Sequence, residues 1–177
     1  MDHSVELAAD VLSVTKGLRF KDVVINHNYA DDLPQLRCHV AELQQVFLSL
    51  FRYSCYALGK IEDPEHTPSI NIEISEFYDA IWVRIQHNGL GMSTEEQQLL
   101  FEPFFASSHA AAGSEGQGST SEEKHSAGER LSFAQFIIAE QHQGQIAVTS
   151  DINIGTTFHI QLPYPTAAEA ENEIDSI

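Results

Sequence analysis

The strongest periodic signal along the chain runs from Ala41 to Leu58, where Leu43, Val46, Phe47, Leu50, Phe51 and Ser54 recur at spacings of three and four. That spacing lays one apolar stripe on a helix, and Gly59 closes it. A weaker stripe of Val5, Ala8, Ala9 and Leu12 predicts a short amphipathic helix over 5–15, with Ser4 as its N-cap and Gly17 at its end. Helical spacing returns from Leu131 to Gln143, with Leu131, Ala134 and Ile138 facing a core and Phe133 and Ile137 as further candidates for the same face. Other segments alternate with a period of two. Ile70, Ile72 and Ile74 face one way in 69–75, and 80–86 alternates in the same manner after a turn at Tyr78-Asp79. Together they predict a hairpin with its apolar face on a core.

Further strands are expected at 23–29, rich in β-branched residues, and at 145–149 and 156–162, around an Asp-Ile-Asn-Ile-Gly turn. Residues 36–39, after the Asp31-Asp32-Leu33-Pro34 turn, are expected to form one more short strand. The segment 61–68, with two prolines and three acids, is a loop. Ser93-Thr94-Glu95-Glu96 carries the cap signal of a short helix through Leu100. Hairpins combined with a helical crossover give a mixed, mostly antiparallel sheet of four or five strands. The expected fold class is α/β, a two-layer sandwich of that sheet packed on helices. No internal repeat is visible.

Two stretches do not fit the pattern. Between Ala106 and Glu129 no hydrophobic residue larger than alanine occurs, so this stretch is expected to be mobile. The tail from Pro163 holds four acids and no base and is expected to be solvated. The organisation expected is one domain over 1–163, with 106–129 as a lid-like loop, and an acidic tail over 164–177. A length of 177 residues, 42% of them hydrophobic, agrees with one real core.

Nine Lys and Arg against 26 Asp and Glu give a net charge of −17, with histidine neutral. This weighs against nucleic acid, which is held through basic patches, and against direct contact with an anionic membrane. It also repels a polyanionic nucleotide unless cations offset it locally. No run approaches the length of a membrane span and no leader pattern opens the chain, so a soluble, cytoplasmic protein is expected. Cys38 and Cys55 sit among apolar residues and read as buried free thiols. The nine histidines show no metal-ligand spacing, and no nucleophile–base constellation is legible, so neither a metal site nor a catalytic residue is assigned.

The order of the pieces is more specific. Glu42-Leu-Gln-Gln-Val46 opens the long helix, Asn88-Gly-Leu-Gly91 follows a strand, and Leu100-Phe-Glu-Pro-Phe-Phe105 follows that. After the loose stretch come Ile138-Ala-Glu-Gln-His-Gln-Gly144 and Gly155-Thr-Thr-Phe158, leading into Gln161-Leu-Pro163. From about residue 4 to 163 the chain resembles the ATP-binding catalytic domain of sensor histidine kinases, in the gyrase, Hsp90, histidine kinase and MutL superfamily. The resemblance implies the Bergerat-type ATPase fold, ATP and Mg²⁺ as cofactors, and a dimerisation hairpin or a response regulator as partner.

It also implies a nucleotide pocket, and there the residues depart from the family. Where the family carries two asparagines on the first long helix, Ser49 and Tyr53 stand; a helix whose inner face simply packs is the competing reading. Where an aspartate precedes Gly-x-Gly and accepts the adenine amino group, His87 precedes Asn88, Gly89 and Gly91. A neutral imidazole offers one acceptor nitrogen and a protonated one offers none. A plain strand-to-helix turn explains these glycines equally well. Of the glycines that present backbone amides to phosphate at the last helix, Gly128 remains, followed by Glu129 and Arg130. The lid carries Glu115, Glu122, Glu123 and Glu129 against Lys124 and Arg130. Thr156 matches a residue that bonds near adenine in the family, and reads equally as a turn threonine.

Three functions compete. One is a signalling module of histidine-kinase type with nucleotide binding weak or lost, a pseudokinase. The second is a working ATP-binding domain that phosphorylates a histidine on a separate dimerisation domain, since no phosphoacceptor histidine is recognisable in this sequence. The third, a serine kinase of the anti-sigma-factor type, also requires the helix asparagine that Tyr53 replaces.

Overall fold

The structure is a computed structural model that describes residues 1–11, 18–102 and 131–164. Five strands, β1 (Val24–Tyr29), β2 (Ser69–Glu76), β3 (Ala80–His87), β4 (Gln145–Asp151) and β5 (Gly155–Pro163), form one sheet in the order β1-β2-β3-β5-β4. The β1–β2 pair is parallel and the other three pairs are antiparallel. The parallel pair needs a crossover, and helix α2 (Val40–Leu58) supplies it. Helix α1 (Asp2–Val11) precedes β1, and α3 (Thr94–Leu99) follows β3. A last helix, α4, is described from 131 onward and widens into a π-helical turn at Ile137–Gln141.

Alternation along the strands places Ile70, Ile72, Ile81, Val83, Ile85, Phe158, Ile160 and Leu162 on one face, all buried. The stripes of the helices cover that face. Leu43, Val46, Phe47, Leu50, Phe51 and Leu58 of α2 are buried, as are Leu131, Ala134, Ile137 and Ile138 of α4, whereas Phe133, a candidate for the core face, is exposed and stacks on Phe136. The opposite face is polar. Asn26 donates to Asn71 at 2.7 Å, and Arg84 pairs with Glu73 at 3.0 Å. A sheet with one wet face needs one helical layer only, which is the two-layer α/β sandwich expected from the pattern.

The beginning of α2 and the end of α4 are tied through an imidazole. The His39 amide donates to His142 Nε2 at 3.0 Å, so Nδ1 of His142 carries the proton and donates it to the Ile137 carbonyl at 2.9 Å. Two local expectations are corrected. Ser4 is a buried residue inside α1 and its amide donates to the Met1 carbonyl, so it is not the cap. Residues 36–39 form no strand, since they join no described strand of the sheet, where β1 stands at the edge beside β2. The lid-like loop and the acidic tail lie outside the described residues. Cys55 is buried in the core and its thiol is pushed up to about 12 by burial, while Cys38 is partly buried and also free.

Candidate functional site

On β3 the inward positions are Ile81, Val83, Ile85 and then His87. The period of two therefore carries a histidine onto the core face, at the end of the strand and beneath α2. Across the sheet it lies in register between Ile70 of β2 and Thr156 of β5. His87 is fully buried. Its Nδ1 accepts the Gly89 amide at 3.1 Å, which leaves the proton of the neutral ring on Nε2. Nε2 is buried and meets no hydrogen-bond partner among the described residues. Burial lowers the imidazole to about 4, so the ring is neutral at physiological pH.

Tyr53 comes down from α2 onto the same spot. Its ring centroid lies 6.1 Å from that of His87 and 5.6 Å from that of Phe158, edge-on to the latter. Burial, with Glu96 and Tyr56 adding to it, pushes the phenol above its usual range, so it stays protonated. One turn earlier on α2, the Ser49 hydroxyl donates to the Gln45 carbonyl at 2.9 Å, a bond back into its own helix.

The turn after β3 is built from the remaining candidates. Asn88 Oδ1 accepts the Ser69 amide at 2.8 Å, and its Nδ2 donates to the Thr67 carbonyl at 2.9 Å. Both ends of the amide thus stitch the turn to the start of β2. Gly89 lies against the end of α2, where a Cβ would stand 2.5 Å from the Leu58 amide nitrogen. The next amide, of Leu90, donates to the Ala57 carbonyl at 3.1 Å. Gly91 is pressed on the β4–β5 turn; its amide donates to the Ile152 carbonyl at 3.3 Å, and a Cβ would run into the Asp151 carbonyl.

Thr156 is buried, and its hydroxyl lies 2.8 Å from that of Ser150. Ser150 gives its own proton to the Gly155 carbonyl and accepts the Met92 amide, so Thr156 is the donor of the pair. Gln97 of α3 closes this knot, donating to the Ser150 carbonyl and accepting the Ser150 amide, both at 3.0 Å. Ser150 and Gln97 carry no sequence signal of this role, since a serine in a strand and a glutamine in a polar helix are commonplace.

The structure therefore brings Tyr53, His87 and Thr156 together, with Asn88, Gly89 and Gly91 forming the adjoining turn. Gly128 and Arg130, expected to complete the pocket, lie outside the described residues. Among the described residues no group of three or more His, Cys, Asp or Glu could hold a metal ion. No described helix is long and apolar enough to cross a membrane.

Comparison with known proteins agrees with this architecture. The family model described as histidine kinase-, DNA gyrase B- and HSP90-like ATPase matches residues 39–166. Sporulation kinase E of Bacillus subtilis (strain 168) is 26% identical over 169 residues, covering 94% of this chain and 20% of that protein. Sensor histidine kinase ZraS of Escherichia coli (strain K12) is 24% identical over 163 residues, covering 92% of this chain and 29% of that protein. The chain thus spans less than a third of the length of either relative. Among solved structures, the catalytic domain of histidine kinase ThkA superimposes with a TM-score of 0.64 at 17% identity, covering 92% of this chain and 91% of that one. The mycobacterial sensor histidine kinase MprB gives 0.62 at 18% identity, with 92% of each chain covered.

Proposed function

The chain belongs to the histidine kinase-, DNA gyrase B- and HSP90-like ATPase family, and from that premise we propose that it serves two-component signalling as an interaction module whose binding of Mg-ATP is weak or lost. Its partners on this reading are a dimerisation hairpin or a response regulator, met in the cytoplasm, where it works as a pseudokinase. One observation carries the proposal: the Tyr53 ring is packed on a buried His87 whose only acceptor nitrogen is already taken by Gly89.

The chemistry of the groups supports it. An adenine amino group is a hydrogen-bond donor and needs an acceptor. His87 can show it only an Nε2–H, so donor would face donor. Magnesium takes a near-octahedral set of oxygens. Ser49 offers a single neutral hydroxyl oxygen, held toward its own helix by its bond to the Gln45 carbonyl, and Tyr53 offers a neutral phenol pushed away from ionisation. Thr156 already gives its proton to Ser150. On this reading Ser49, Tyr53, His87 and Thr156 do not fit the nucleotide and its metal.

Titration calorimetry with Mg²⁺ and a non-hydrolysable ATP analogue tests the reading. The expected outcome is a dissociation constant above about 1 mM, equivalent to less than about 4 kcal/mol of binding. A micromolar constant would overturn it and establish a working ATP-binding domain instead. Replacing both obstructing groups, Tyr53→Asn with His87→Asp, is expected to raise affinity by at least about tenfold.

A further inference from the structure

At the other end of β3 from His87, about 23 Å away at the rise of an extended strand, the β2–β3 hairpin closes through Tyr78 and Asp79. The Phe77 amide donates to the Ala80 carbonyl at 3.0 Å, and both loop residues hold a positive φ, 50° and 52°. Two-residue loops of this hand favour Asn-Gly, and a tyrosine and an aspartate occupy them here. The turn pushes two aromatic rings into solvent. Phe77 is 58% exposed and Tyr78 is 83% exposed, with ring centroids 4.2 Å apart, edge to face.

The knuckle is fixed from behind. The Trp82 indole donates to the Phe77 carbonyl at 3.1 Å, Tyr164 donates its hydroxyl to Glu76 at 2.7 Å, and the Tyr164 amide donates to the Asp79 carbonyl. Its charge is of one sign. Glu76 and Asp79 flank the rings, and both help push the Tyr164 phenol up to about 12. Arg84 is the one Lys or Arg between Ser69 and His87, and it is paired with Glu73.

We propose that the Phe77–Tyr78 turn is a docking surface for an arginine-rich segment of a partner protein, guanidinium groups lying on the two rings and pairing with Glu76 and Asp79. Rings with a negative face and carboxylates beside them attract cations together, and arginine both stacks and pairs in a plane. The charge elsewhere in the sequence does not favour a cationic occupant from the segment that follows. The residues after Tyr164 hold Glu169, Glu171, Glu173 and Asp175 with no Lys or Arg. A second copy brings 26 acids against nine bases, a mismatch of the same sign.

Trp82 is the sole tryptophan, so its fluorescence reports on this turn alone. Titration of the whole chain with a short alternating arginine–glycine peptide is expected to give a saturable change, weaker with lysine in place of arginine and absent with glutamate. Phe77→Ser with Tyr78→Asn, in which asparagine accepts the positive φ, should weaken binding by at least about tenfold, as should Glu76→Gln with Asp79→Asn. Glu62→Gln with Glu65→Gln, on the 61–68 loop, should leave it unchanged. Equal affinity in all three variants would reduce the effect to attraction by an acidic protein and overturn the proposal. Sedimentation showing dimers that the Phe77 and Tyr78 substitutions dissolve would overturn it in favour of a second copy. Circular dichroism melts confirm that each variant folds. None of these readouts depends on whether nucleotide binds.

Discussion

Burying a titratable side chain makes its charge state a matter of folding, and His87 shows the sign of that linkage. Folded, it titrates at about 4, against 6.5 for the free side chain, with burial as the cause. Between those values the unfolded chain binds a proton that the folded chain refuses. The contribution is therefore full above the higher value, drains as pH falls through the window, and is spent below the lower one, about 3 kcal/mol in all. His87→Asn keeps an acceptor for the Gly89 amide and removes the titration. Urea unfolding of both proteins between pH 3 and 8 should show the wild type losing stability relative to the variant across that interval, with a flat difference on either side. A difference that stays flat throughout would mean that His87 is solvated and free to charge. The same residue marks the limit of sequence reading. Its position before Asn88-Gly-Leu-Gly91 is visible along the chain, but that Nδ1 is consumed by Gly89 is not, because hydrogen-bond valence is fixed only by three-dimensional neighbours. Asn88 makes the point again: a candidate ligand contact by position, it spends both ends of its amide on Ser69 and Thr67.

Among the elements, α3 is short and has no buried side chain of its own, so its position depends on polar groups. Ser93 accepts the Glu96 amide at 3.2 Å and Glu96 returns a bond to the Ser93 amide at 2.9 Å, while Gln97 grips Ser150. Ser93→Ala should cost about 1 kcal/mol, a usual value for a lost cap, and should speed amide exchange across α3 first. Gly91→Ala belongs to a harsher class. Its Cβ meets main chain at Asp151, which cannot rotate away, so a loss of about 3 kcal/mol is expected in denaturant unfolding, at the upper end for overpacking. The cap was legible, since Ser-x-x-Glu before a helix is a local pattern. The alternation in β2 and β3 was equally legible and fixes which side chains face the helices. The contact of Gly91 with Asp151 was not, because residues far apart in sequence meet there. The strand expected at 36–39 fails for the same reason: local extended propensity makes no strand without a neighbour in the sheet.

In the whole molecule, order along the chain and order in the sheet part company at one place. The central strand β3 meets β2 through a two-residue loop, but it meets β5 only after the chain has passed through α3 and α4 and out to the edge strand β4. The layers and the one-sided core followed from the hydrophobic pattern. The family followed from the order of short segments. Neither told how β5 is inserted, since strand order depends on contacts between distant segments. That geometry turns the Tyr78–Asp79 turn into a clock. Contacts close in sequence form first, because little chain entropy is lost in closing them. The hairpin is then the platform on which β5 docks, and every molecule must pass through its unfavourable loop early. Tyr78→Asn with Asp79→Gly, which supplies residues at ease with both φ values, should accelerate refolding by about tenfold for each 1.4 kcal/mol of strain removed. It should leave the unfolding rate nearly unchanged in stopped-flow experiments. Slower unfolding at a constant refolding rate would instead place the hairpin late on the route. The turn that carries Tyr78 and Asp79 out to the proposed docking surface thus also sets the pace at which the chain reaches its native state.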